Sequence, residues 1–518
     1  MLRSINKLIY VAVMGVLALQ ACDKGFEEMN TNPDASPNVQ PEFLFSKALM
    51  DGVSGGYGTT ITTWYSTSMV CAGGAIQHYA TYKDVPGLGD KYYFQQGSYP
   101  YAYFENTYPG AVNEVNSVIN ALQQDAEVNV NKLSIARIWR VYIMHRITDL
   151  FGDVPYSDAV KGYTDNHFTP SYDQQSAIYP DMLKELDEAA AAFNAAQPSF
   201  AAGDFVYNGN ITQWKKLAYS LMLRLGMRLS KVDPAAAQTW VQKAIAGGVI
   251  TTDGDRATMK YADGPQTYNQ NPASYDMLSN NFAVANGDGN TEGGKFAKTL
   301  IDYLKTNNDP RLNVIAVVWV NGKPDTSTTL QKGMPNGLLG KPADFVSYSE
   351  PNPNTILLKA APFIIMSAAE TNLLLAEAAA RGWYAGDAAA AYENGISAAM
   401  RNWSLFGAGG VISNERISAY LASHTFNSGG SLNEKLNQIH TQMWVALLID
   451  EQEAWANWRR TSFPVLTPVN IPGNITNGTI PRRLIYPPSE ESVNNANFQQ
   501  AVQRQGPNEF TTRVWWDK

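Results

Sequence analysis

The stretch IARIWRVYIMHRITDL, residues 135–150, decides the fold class of this chain. Its residues Ile135, Ile138, Trp139, Tyr142, Ile143, Ile147 and Leu150 recur at intervals of three and four, the spacing that lines one face of an α-helix. A second such face runs through Trp214, Leu217, Ala218, Leu221, Met222, Leu225 and Leu229. A third runs through Met182, Leu183, Leu186, Ala190 and Phe193, with Pro180 and Asp181 suited to its first turn. Further helices are expected across 364–381, 387–401 and 434–457, and the alanines of 376–380 suit close helix–helix approach. Strand signals are sparse. The best is VIAVVWV at 314–320, expected to pair as a hairpin with 355–359. Long segments rich in Gly, Asn, Pro and Tyr separate the helices, notably 52–110, 251–295 and 320–360. Loops of that length are functional or disordered, and their tyrosines and tryptophans argue against disorder. The expectation is a mostly α chain with long irregular loops and minor β-hairpins, and with no clear repeat at a fixed period.

Outward from these helices, the N-terminus has a different character. Arg3 and Lys7 precede an apolar run from Leu8 to Leu19, too short to span a bilayer, and Leu19-Gln20-Ala21-Cys22 follows. This is a secretory signal over 1–21. The Leu-Gln-Ala-Cys arrangement resembles a bacterial lipobox, which implies cleavage before Cys22 and acylation of its thiol. Buried acyl chains contribute about 0.8 kcal/mol per methylene, so a multiply acylated terminus is a lasting anchor. Residues 22–40 are polar and interrupted by proline, and they read as a tether. Residues 41–518 are expected to form a single domain.

Composition excludes several classes of function. A net charge of −8 and a pI near 5.3 argue against a nucleic-acid partner. If Cys22 is acylated, Cys71 has no cysteine to pair with, and a buried structural thiol is the ordinary reading. There is no His-Glu-x-x-His, Cys-x-x-Cys, Walker loop or Gly-x-Ser-x-Gly. Asp450, Glu451 and Glu453 lie close together, and a surface glycoside hydrolase needs only two carboxylates at a suitable separation. Pairing with Arg459, Arg460 or neighbouring helices explains them better. Asp288-Gly289-Asn290-Thr291-Glu292-Gly293 resembles the front of a calcium loop, but Thr299 stands where the closing glutamate belongs. An Asx turn accounts for it, and no metal or cofactor is expected.

The densest candidate chemistry is aromatic. Trp64, Tyr79, Tyr82, Tyr92 and Tyr93 stand among Gln77, His78 and further rings up to Tyr108. Rings with polar edges beside amides suit a sugar, whose C–H faces stack and whose hydroxyls need partners. Tyr261, Tyr268 and Tyr275 form a second group in another loop. The candidate ligand residues are therefore Trp64, Gln77, His78, Tyr79, Tyr82, Tyr92, Tyr93, Tyr268 and Tyr275. Packing of many of these rings onto the helices is the competing explanation.

Several separated segments together resemble the SusD/RagB family of nutrient-binding outer-membrane lipoproteins of Bacteroidetes. They are Cys22-Asp23 through Asn30-Thr31-Asn32-Pro33, Phe151-Gly152-Asp153-Val154-Pro155-Tyr156-Ser157, and Trp214 to Ala218 with Leu223-Arg224-Leu225 and Arg228. Ala369-Glu370 with Ala376-Glu377-Ala378, Gln442-Met443-Trp444, Glu453-Ala454-Trp455 and Trp458-Arg459-Arg460 continue the series. Pro481 to Pro487 and Val514 to Lys518 close it. The resemblance implies tetratricopeptide-like helix pairs as the core and non-catalytic binding of an oligosaccharide. It also implies a SusC-like TonB-dependent transporter as partner and a lipid-anchored position on the outer membrane. A peptide ligand, with the chain serving chiefly as the transporter's lid, is the alternative. The matching segments are scaffold, so the resemblance transfers no ligand-contacting residue.

Overall fold

The face read between Ile135 and Leu150 belongs to a helix of 22 residues, and most of the chain folds around it. The structure is a computed structural model, and it describes residues 39–56, 62–83, 87–92, 98–279 and 293–518. The signal, Cys22 and most of the tether lie outside those residues. In the first half the main helices are α1 (Pro41–Ser54), α2 (Asn113–Gln123), α3 (Val130–Phe151), α4 (Gln175–Ala192), α5 (Ile211–Arg228), α6 (Pro234–Gly247) and α7 (Pro272–Ser279). The second half adds α8 (Lys298–Thr306), α9 (Ala368–Ala380), α10 (Ala388–Asn402), α11 (Asn414–Ser423), α12 (Leu432–Ala446), α13 (Glu451–Thr461) and α14 (Asn495–Gln505).

Neighbouring helices pack in sequence, α3 on α4, α4 on α5 and α5 on α6, then α9 on α10 and α12. This is the tetratricopeptide-like pairing. The α9–α10 contact is close because it is made by small residues: a β-carbon at Gly395 would lie 2.7 Å from the Leu373 side chain. One hydrophobic cluster joins residues from Phe45 to Trp516. A small second cluster, with Ala80, Ala297, Met334, Phe345 and Tyr348, underlies the β-rich part.

Among the described residues three sheets form, all small and antiparallel. β1 (Tyr79–Thr81) pairs with β3 (Gly294–Phe296), and β2 (Ala257–Met259) pairs with β7 (Phe363–Met366). β4 (Ala316–Val320) lies between β5 (Lys323–Asp325) and β6 (Glu350–Pro351). The partner of the 314–320 run is therefore not 355–359 but 323–325 and 350–351. Val314 and Ile315 themselves close a short helix, Leu312–Ile315.

Three helix boundaries differ from the pattern reading, each for a local reason. Residues 363–366 pair as β7, so α9 begins at Ala368. Pro180 lies inside α4 rather than in its first turn, because the helix starts five residues earlier at Gln175. The expected helix over 434–457 is two helices. Ile449 takes φ 86°, its amide donates to Glu451 Oε1 (2.8 Å), and its carbonyl accepts the Trp64 indole N–H (3.2 Å).

α3, α5, α9 and α13 bring charge into the core. Arg228 Nη2 donates to both Glu453 oxygens at 2.6 Å, and its Nε lies 3.3 Å from Asp149 Oδ2. Arg224 forks onto Glu370 with two bonds of 2.6 Å. Arg460 forks onto Glu377 with two of 2.7 Å, and Arg146 holds Asp450 at 2.7 Å. Every one of these groups is buried. Bidentate geometry offsets the large desolvation cost of such pairs, and removing one partner strands the other. Burial alone would raise the Glu453 carboxyl, but Arg228 and then Arg224 override it and hold it at about 2. Glu453→Ala should therefore cost about 3–5 kcal/mol of unfolding free energy in urea titrations, because it leaves Arg228 and Arg224 buried and underpaired.

Candidate functional site

The aromatic segment that begins at Trp64 is built from the inside. Residues Tyr65–Gly73 form a π-helical turn packed on α13 and α7, and every residue of it is buried. Trp64 has no exposed surface and is tied to Ile449. Tyr79 is buried, donates to Glu451 Oε1 (2.8 Å) and stacks on Phe296. His78 Nε2 lies 3.1 Å from the Trp444 carbonyl. Gln77 bridges Thr467 O (2.6 Å) and Thr299 Oγ1 (2.5 Å). Tyr92 is fully buried, and its hydroxyl accepts from the Val469 amide (3.2 Å). These five side chains fasten the 64–92 segment to the helices, and the structure gives each of them a packing partner. Tyr82 is half-buried, edge-on to Phe345. Tyr93 lies outside the described residues, as does the calcium-like stretch 288–293 except Gly293.

The second aromatic group is placed differently. Tyr261 and Tyr275 are half-buried and Tyr268 is 47% exposed. Tyr275 belongs to α7, and the loop around Tyr268 is closed by the Ala262 amide on the Asn269 carbonyl (2.8 Å) and by Gln270 Nε2 on Gly264 O (2.5 Å). Beside it lies a pocket of about 500 Å³, whose walls include Tyr261, Phe205, Asn208, Asn269 and Lys260. Asp204 also lines the pocket, but its oxygens are spent on its own loop. Oδ1 accepts from the Val206 and Tyr207 amides, and Oδ2 from the Gly209 amide and the Trp214 indole. The cavity thus offers two rings, two amides and one ammonium. This is the equipment for a polyhydroxylated ligand, and it contains no acid–base pair.

Tyr275 sits on α7, where a second cluster of rings and hydroxyls converges. Thr62 donates to Asp276 from both its amide (3.0 Å) and its hydroxyl (2.5 Å). Tyr65 meets the half-buried Tyr99 edge-on at 6.1 Å. Burial pushes the Asp276 carboxyl up to about 7, against the hydrogen bonds from Thr62.

The acidic triplet Asp450, Glu451 and Glu453 fills structural positions. Asp450 holds Arg146, Glu451 holds Tyr79 and the Ile449 amide, and Glu453 holds Arg228. The partners of the three are on neighbouring elements and are not Arg459 or Arg460. Among the described residues, His145, Asp149 and Glu453 each bring one donor atom within 4.8 Å of the others. Arg228 already bonds both Glu453 oxygens and approaches Asp149, so a protein cation stands where a metal would have to bind. Cys71 is buried and free, and burial raises its thiol. No described helix is long and apolar enough to cross a membrane.

A helical scaffold that spends its charges internally and presents rings and amides from its loops defines a binding protein. The comparisons with known proteins agree. Residues 34–487 match the SusD-like family described as "Starch-binding associating with outer membrane", and the chain belongs to that family. SusD-like proteins bind and do not catalyse, and the family is associated with the outer membrane. One solved structure, a chitin-binding protein, shares 32% identity at a TM-score of 0.79, covering 92% of this chain and 100% of its own. A SusD-like protein described as Bacteroidetes AC2a shares 26% at 0.79, covering 93% and 100%. A chitin-binding SusD homologue from Flavobacterium johnsoniae shares 25% at 0.74, covering 92% and 98%. No curated protein sequence matches the chain.

Asp276 gives this region a pH signature whose sign is fixed. Its folded value lies above the ordinary aspartate value, so the stability it contributes is full below about 4 and is lost as pH rises through about 7. The unfolding midpoint of the native chain should fall relative to that of Asp276→Asn between pH 4 and 8, and parallel curves for the two would refute this.

Proposed function

We propose that this protein captures an oligosaccharide at the cell surface and passes it unaltered to a TonB-dependent outer-membrane transporter. The observation that carries the reading is family membership along almost the whole chain, together with 32% identity to a chitin-binding protein over 92% of this chain. The ligand surface in this reading is the 261–275 segment. Tyr261, Tyr268 and Tyr275 stack on sugar faces there, and Asn208 and Asn269 meet hydroxyls. Rings of this kind contribute about 0.5–1.5 kcal/mol each beyond burial, which suits a ligand that must be released inward. Trp64, Gln77, His78, Tyr79 and Tyr92 serve the same site indirectly, as the base from which its loops project.

Two further parts complete the proposal. Cys22 is acylated after cleavage behind Ala21 and holds the protein on the outer membrane, with 22–40 as its tether. A SusC-like transporter is the partner over which the folded body closes. Incorporation of labelled palmitate should be lost in Cys22→Ser, and retained label would place the anchor elsewhere.

Calorimetric titration of the full chain in detergent with starch, chitin and other neutral oligosaccharides, and with peptides, tests the central claim. Saturable sugar binding with the ligand recovered intact is expected. Tyr268→Ala and Tyr275→Ala should each weaken it about two- to tenfold without moving the melting temperature. Preference for peptides, or recovery of cleaved sugar, would overturn the reading.

A further inference from the structure

A second cavity, on the opposite kind of chemistry, lies between the end of α3 and the C-terminal segment. It measures about 230 Å³ and is lined by Phe104, Tyr108, Phe168, Asp158 and Glu490, among others. It shares no lining residue with the Tyr261 pocket. Two features separate it from an ordinary crevice in the packing.

One of its rings, Phe168, is presented to solvent, while Tyr108 is half-buried and Phe104 belongs to the core. Phe168 is 69% exposed, an unusual state for a phenylalanine in a folded wall, and its ring is braced against Gly162, where a β-carbon would stand 3.1 Å from it. Tyr108 also lines the cavity, half-buried and held by its hydroxyl on the Pro155 carbonyl (2.6 Å). Phe104 packs on Tyr108 with centroids 4.7 Å apart and continues that wall.

Its charged lining is two carboxylates, Asp158 and Glu490, with His167 Nε2 3.9 Å from Asp158 Oδ2. Lys161 donates to Asp158 at 2.7 Å and Ser171 adds a further bond; together these hold the Asp158 carboxyl at about 2, so it stays ionised. Lys161 balances Asp158. Glu490 has no ion pair among the described residues. Its Oε2 accepts from the Tyr172 hydroxyl (2.7 Å) and Asn494 Nδ2 (3.1 Å), while Oε1 accepts no hydrogen bond among those residues. Glu105 lies on the same side, tied to Ser489 next to Glu490. The cavity therefore joins aromatic faces to an unmatched carboxylate, the combination that selects an ammonium group on an apolar frame.

We infer that this cavity is a second sugar subsite, selective for an amino sugar that carries a free ammonium, such as the glucosamine units of de-acetylated chitin. The inference rests on the proposed role in glycan capture, which supplies the sugar frame. The charge complementarity supplies the ammonium. One ring stacks between Phe168 and Tyr108 while its ammonium meets Glu490. An acetylated unit fills the same space without the charge and forfeits that contact.

The test uses the full chain in detergent and two titrants of equal length, a glucosamine oligomer and its N-acetylated counterpart, with Phe168→Ala and Glu490→Gln beside the native protein. Phe168 is exposed and its truncation leaves the core untouched, so Phe168→Ala remains informative if Glu490→Gln does not fold. The expected result is that the glucosamine oligomer binds more tightly than the acetylated one at low salt and loses that advantage at high salt. Each substitution should weaken glucosamine binding about tenfold or more, with neutral-sugar binding at the Tyr268 surface unchanged. Equal affinity for the two titrants, or unchanged glucosamine binding in Phe168→Ala, would overturn the subsite while leaving neutral-sugar capture standing. The same Phe168-dependent binding shown by a lysine-containing peptide, and not by the glucosamine oligomer, would also overturn it. Loss of neutral-sugar binding altogether is the separate failure of the capture reading.

Discussion

The contact between Glu453 and Arg228 is the one on which the rest of this structure depends. It joins α13 to α5, and through Asp149 on the same guanidinium it reaches α3. Arg224, one turn before Arg228, carries the chain of charge on to Glu370 in α9. Four helices distant in sequence thus meet at alternating arginines and carboxylates, each bonded twice where geometry allows. An apolar contact tolerates a sliding neighbour. A bidentate pair does not, because any displacement strands a charge in a low-dielectric interior. The network sets the helix register, and the register sets where each loop leaves the body.

Helices were legible in the sequence because their burial is periodic. The faces at 135–150 and 214–229 follow a spacing of three and four, and the structure places every one of those residues in the core. Boundaries were less legible where tertiary contacts override propensity. The break after α12 depends on Trp64 and Glu451 gripping Ile449, and nothing within 434–457 announces a tryptophan 385 residues away. The strand at 363–366 likewise exists because β2 lies beside it, a partner about a hundred residues earlier.

The aromatic residues were legible in the sequence, but which of them are buried was not. Counting rings in 64–108 detects aromatic density, yet density serves a packed core as well as a platform, and sequence carries no measure of exposure. The hydroxyl of Tyr79 on Glu451 and the indole of Trp64 on Ile449 are satisfied inside the protein, and only coordinates reveal that. Tyr268 lies in a loop as its glycine, proline and asparagine neighbours suggest, whereas Tyr275, read from the same surroundings as a loop residue, belongs to α7. The pocket beside Tyr261 escaped notice because Phe205 and Asn208 come from a turn about sixty residues away. The signal that was available was the Asp204-to-Gly209 run, an acidic residue ahead of an Asn-Gly turn.

The closure of the 261–270 loop by its own bonds, Ala262 to Asn269 and Gln270 to Gly264, has an evolutionary consequence. A loop that carries its own fastening is a cassette. Its rings can be exchanged, deleted or re-spaced without disturbing the arginine–carboxylate lattice, and the lattice can stay constant while the diet changes. Under the proposed reading of this surface, a lineage built on this body changes cargo by editing one short segment.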